Sequence, residues 1–298
     1  MTGYLNKQPA ALQLSTLIGF FIGFFLIYGA FMQLVFPAIS GGYTLESLLT
    51  AVKKDSGLVN YLKLAQFLYT FIVFLVPGAL FIYLTEPLAG VGLEKGPSIY
   101  NLIFAVLIMA SALPVIGYLM EWNETWPMSD SLRQLEKEAE EQTKIMLSMP
   151  NIPSLLVNLL MVAVMPAIAE ELFFRGAMQR VFTRMVKNGW VAVIITSIIF
   201  SAIHMQFLGF VPRFALSVLL GGIYLLSGNL WLAIIAHFLN NALSVVLFYV
   251  GQGEADESLP WYINILSGVV VLALLFMMRR NNRSIATIKQ QDYGERLG

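Results

Sequence analysis

Cysteine is absent from all 298 residues. That excludes disulfides, thiolate metal sites and a cysteine nucleophile. Charge is scarce: Asp, Glu, Lys and Arg together make up 12% of the chain, about half of what a soluble domain carries. The formal net charge is zero, so there is no basic excess to attract a nucleic-acid partner. Histidine occurs only twice, as His204 and His237. No small-residue cleavage site closes the long apolar run that follows MTGYLNKQPAALQL, so this run reads as a retained first span rather than a signal peptide.

What fills the chain instead is apolar sequence. The hydrophobic share is 58% and the mean hydropathy is +0.73. The expected fold is all-α, a polytopic membrane helix bundle forming one integral-membrane domain over 1–298. A span needs roughly 20 apolar residues, and the gaps between charged residues supply them near 12–36, 64–84, 99–119, 153–182 and 189–207. The uncharged stretch 214–253 holds two more, divided at SGN (227–229), where Ser, Gly and Asn favour a turn. A last span at 261–278 brings the number to about eight. Alternation at period two, the mark of a membrane barrel, is missing.

Lys and Arg placement sets the expected orientation. With the N-terminus in the cytoplasm, ten basic residues fall inside, among them Arg180, Arg184, Lys187 and those of the basic tail 279–298. Seven fall outside, including Lys63 and Arg213, beside the acid-rich stretches 135–142 and 253–258. Both termini are then cytoplasmic. Compact loops and the lack of an organelle signal point to a bacterial cytoplasmic membrane. The longest loop, 120–150, reads as an amphipathic surface helix with Leu132, Leu135, Ala139, Ile145 and Met146 on its apolar side. It is either a solvated connector or a lid.

Ionisable groups at membrane depth cost several kcal/mol unless paired or hydrated, which makes each of them a functional candidate. Within the spans these are Glu170, Glu171, Arg175, His204 and His237, and Asn241 follows His237 by one turn. Glu171 and Arg175 are spaced i,i+4 with the carboxylate first, the favourable order for an ion pair. Glu170 is rotated by about 100° and points elsewhere, as a general base would. The plainer alternative is that both glutamates neutralise Arg175. FSAIH (200–204) puts Phe200 and His204 on one face, and HFLNN (237–241) does the same for His237 and Asn241. Each histidine alone reads as a packed side chain; the three elements together read as a site. Pro166 favours a kink just before the glutamates, either as packing or as an opening for water.

In order along the chain, EELFFR (170–175), FSAIH and HFLNN resemble the EExxxR, FxxxH and HxxxN motifs of the CPBP family of intramembrane proteases. That family includes type II CAAX prenyl endopeptidases and bacteriocin-processing (Abi) proteins. The resemblance covers about 150–250. It implies an eight-helix bundle and an endopeptidase acting on a membrane-associated peptide or protein. Glu170 would activate water, His204 would hold that water, His237 and Asn241 would form an oxyanion hole, and Glu171 with Arg175 would be the supporting ion pair. No cofactor is then required; if zinc takes part, its ligands would be His204, His237 and Glu170. The lipid bilayer and the substrate are the expected partners. Because basic residues follow the glutamates, the site is expected to face the cytoplasm. Two other classes stay open: a non-catalytic scaffold or immunity protein of the same fold, and a proton-coupled transporter, which would show inverted repeats.

Overall fold

A computed structural model describes residues 3–85, 88–251 and 259–295; the acid-rich stretch 253–258 and Arg296 lie outside them. It is built of helices: α1 (Ala10–Leu34), α2 (Ser56–Thr85), α3 (Ile99–Glu124), α4 (Asp130–Met146), α5 (Ile152–Val186), α6 (Gly189–Ala202), α7 (Phe210–Ser227), α8 (Leu230–Tyr249) and α9 (Trp261–Glu295). Among the described residues, seven of these are long and apolar enough to cross a membrane. The chain is therefore an integral membrane helix bundle embedded in lipid. The large apolar side chains exposed along α1, α3 and α9, such as Leu26, Leu107 and Leu272, form the surface that lipid would cover.

The eighth apolar helix, α6, has only 14 residues. At 1.5 Å per residue it reaches about 21 Å, short of a hydrocarbon core of about 30 Å. The expected span 189–207 therefore stops at Ala202, and His204 lies in the turn beyond it rather than deep within a helix. The SGN division holds. Gly228 takes φ 64°, the left-handed conformation that ends α7, and Asn229 starts α8. Lys187, also left-handed, ends α5, and the Asn188 side chain caps α6 by accepting from the N–H groups of Trp190 and Val191.

Two corrections concern residues assigned to outer loops. Lys63 lies within α2, buried, and its ammonium donates to the Ser148 carbonyl at 3.4 Å. Arg213 lies in the first turn of α7. No residue of helix α4 is buried, as suits a surface helix, while Leu132, Ala139, Ile145 and Met146 are half-covered, and Ser129 caps it. It is tied down by the Lys53–Glu141 pair at 2.9 Å and by Glu136, which accepts from the Phe207 N–H. The Lys53 hydrogen bond, helped by its charge, holds the Glu141 carboxyl below the usual range.

Three π-helical segments interrupt the long helices: Thr70–Leu75 in α2, and Leu159–Val164 and Glu171–Gln179 in α5. Such widened turns are rare and gather at functional sites. Around them packs an aromatic core in which Phe74, Phe173, Phe174 and Phe200 meet at ring distances of 4.9–5.8 Å. Helix α2 comes against the π segment of α5 at Gly78, where an added Cβ would sit 3.1 Å from both N and Cα of Phe173. Backbone cannot yield as a side-chain tip can. Gly78→Ala is thus expected to lower stability by about 1–3 kcal/mol, read as a drop in the thermal unfolding midpoint in detergent. A wild-type midpoint would mean that the two helices have room to separate.

Candidate functional site

Arg175 is fully buried inside the bundle, and a buried guanidinium stays charged and needs anions and acceptors. The structure supplies them. Its Nη1 donates to Glu171 Oε1 at 2.7 Å, and Nη2 donates to the carbonyl and hydroxyl oxygens of Ser217 on α7 at 3.1 and 2.9 Å. Its Cζ stacks 4.9 Å from the Phe200 ring centroid, a cation–π contact. One turn on, Gln179 Nε2 donates to Gly221 O of α7 at 3.1 Å. The π segment of α5 is therefore fastened to α7 through two polar contacts inside an apolar core.

Glu171 has a second partner that the sequence reading missed. His237 Nδ1 lies 2.8 Å from the same Oε1. A carboxylate can only accept, so Nδ1 carries a proton and Nε2 is left free. His204 is fixed in the same way: its Nδ1 lies 2.7 Å from the Phe200 carbonyl, an acceptor, so its Nε2 is also the free nitrogen. Phe200 touches both imidazoles, at 5.0 Å from His204 and 6.2 Å from His237. One aromatic ring thus spaces both histidines and carries the arginine.

Glu170 points away from this network. With His204 it lines a cavity of about 180 Å³, completed by Gln66, Tyr69, Thr70, Phe74 and Ile203. At about 30 Å³ per water the space suits several water molecules. His237 lies within electrostatic reach of both Glu170 and His204. The two adjacent glutamates therefore have different surroundings, one buried in an ion pair and one facing a cavity. Gln66 and Thr70, spaced i,i+4 in an otherwise apolar span, are the sequence sign of a polar face on α2; a search restricted to ionisable groups passes over them.

Asn241 relates to Pro166. A proline has no N–H to offer the carbonyl four residues back, here Val162. Asn241 Nδ2 donates to that carbonyl at 3.2 Å. The amide has a second N–H beyond this bond, and Asn240 Nδ2 donates to its oxygen at 3.2 Å. Among the described residues no group of three or more His, Asp or Glu side chains that could hold a metal ion is found.

The cavity lies at the end of the bundle occupied by the 203–209 turn and α4. Val211 N–H donates to Asn123 Oδ1 at 2.9 Å there. Arg180 and Arg184 are at the other end, where they bond to the Gly90 carbonyl and to Gln13 Oε1. The basic residues that follow the glutamates thus lie at the other end of the bundle from the Glu170–His204 cavity.

Residues 152–243 match the family described as Type II CAAX prenyl endopeptidase Rce1-like. The matched segment contains α5, α6, α7 and most of α8, and hence every residue of the Glu171–Arg175–His237 network. No curated protein and no solved structure matches the chain.

Proposed function

We propose, from the match of residues 152–243 to the family described as Type II CAAX prenyl endopeptidase Rce1-like, that this chain is an intramembrane endopeptidase cutting a membrane-associated peptide or protein. The observation that carries the reading is the pairing of Glu170 and His204 in one cavity beside the buried Glu171–Arg175–His237 network.

In this reading Glu170 takes a proton from a water molecule that His204 Nε2 helps to hold by accepting its other hydrogen. The hydroxide attacks the carbonyl carbon of the scissile amide, and the carbonyl oxygen becomes an oxyanion. Glu170 then returns the proton to the departing nitrogen as the C–N bond breaks, leaving a carboxyl end and an amine end. His237 donates to the oxyanion from Nε2 only when doubly protonated, and the Glu171 carboxylate against Nδ1 is the counter-charge for that cation. The remaining N–H of Asn241 is the second donor. Arg175 acts at one remove, by holding Glu171 in place.

The test is hydrolysis of quenched lipidated and leader-type peptides by the full chain in detergent, with and without a zinc chelator. Turnover unaffected by chelator is the expected result. Chelator-sensitive turnover would overturn the metal-free steps, and no turnover across the peptide set would count against the hydrolase reading itself.

A further inference from the structure

Arg213 is the charged group near the site that the proposed reaction leaves unused. It stands in the first turn of α7, within electrostatic reach of both Glu170 and His204. Gln206 Oε1 accepts from its Nη2. Its Nη1 is buried and has no hydrogen-bond partner among the described residues. Glu136 lies within electrostatic reach, but its Oε1 is already taken by the Phe207 N–H, and it makes no ion pair with the guanidinium. A buried N–H left without an acceptor is costly, and a guanidinium presents a planar fork suited to a carboxylate.

Arg213 also lines a second cavity. This cleft of about 700 Å³ is roofed by α4 and walled by the end of α3, the 206–209 turn and the last turns of α8. It opens at the same end of the bundle as the Glu170–His204 cavity. Arg213 thus borders the cleft while standing within electrostatic reach of Glu170 and His204, which line the other cavity. We infer that Arg213 is a specificity residue, binding a carboxylate of the substrate peptide in the cleft beneath α4; the inference rests on the protease reading for the term substrate, but not for the binding.

Binding is read first, by fluorescence anisotropy in detergent, on the full chain carrying Glu170→Gln so that turnover is not needed. The probes are palmitoylated, dansyl-labelled Ala/Leu pentapeptides in three forms: a free C-terminal carboxylate, a C-terminal amide, and the amide with one internal Asp. An acid form is expected to bind about tenfold tighter than the plain amide, the scale of a charge-assisted hydrogen bond. Whether the terminal acid or the Asp peptide shows the preference identifies which carboxylate is read. Arg213→Ala should erase the preference while plain amide binding stays unchanged. Arg213→Lys, which keeps the charge but not the fork, should retain part of it.

Gly209→Ala provides a variant that keeps the charge and the helix. A Cβ there would collide with Arg213 Nη2, so the guanidinium must shift, and the preference should shrink. Equal binding of acid and amide by the parent protein would overturn the inference, as would a uniform loss of all three peptides in every variant. Displacement by phosphatidylglycerol vesicles without any acid preference would assign Arg213 to lipid headgroups instead, and would equally overturn it. An acid preference without hydrolysis by the Glu170-bearing chain would leave the carboxylate site standing and remove the protease.

Discussion

Glu170→Gln is expected to lower kcat by about 10²–10⁴-fold and to leave the thermal unfolding midpoint where it is. The two halves of this result come from one geometric fact. Glu170 lines the cavity with His204, whereas Glu171 pairs with Arg175, whose bonds to Ser217 fasten α5 to α7. Gln keeps the size and an acceptor oxygen but cannot take a proton from water. Uniform binding would be little changed, so the loss belongs in kcat rather than in KM. Activity within a few-fold of wild type would remove Glu170 as the base. A collapse of stability equal to that of Glu171→Gln would show that both carboxylates serve the ion pair, the plainer alternative raised by the sequence.

The sequence disclosed the membrane bundle because charge is so rare that its gaps outline the helices. Gly228 divides the long uncharged stretch 214–253 as SGN suggested, since glycine accepts the left-handed turn without strain. The pairing of Glu171 with Arg175 was readable from i,i+4 spacing. What could not be read were contacts between helices far apart in sequence. The bond from His237 to Glu171 joins residues 66 positions apart, and Ser217 reaches Arg175 across 42. Helical periodicity carries no information about which faces meet. The π segment at Glu171–Gln179 was hidden for a related reason: its polar side chains bond to α7 and α8, and no local preference marks it. The end of α6 was misplaced because Ile203 and Phe207 continue the apolar run while the backbone has already turned. Hydropathy registers the composition of that turn and not its shape. Charge placement likewise does not show that Arg180 and Arg184 sit at the opposite end of the bundle from the Glu170–His204 cavity.

Arg175→Ala is expected to cost about 3–5 kcal/mol of stability, the usual effect of removing one partner of a buried pair. Glu171 is fully buried, its Oε2 already has no hydrogen-bond partner among the described residues, and its Oε1 would keep only His237. The Ser217 contacts and the stacking on Phe200 disappear at the same time. A wild-type unfolding midpoint for Arg175→Ala would show that Arg175 does not fasten α5 to α7. The double variant Glu171→Gln/Arg175→Met separates the two tasks of Glu171. Without either charge the bundle has no orphaned ion, so most of the stability should return. Hydrolysis should not return with it. A neutral amide in place of the Glu171 carboxylate can still accept from His237 Nδ1, but it no longer supplies the counter-charge for the imidazolium that donates to an oxyanion. A double variant that regained both stability and turnover would mean that Glu171 serves the fold alone and that His237 acts without its charge.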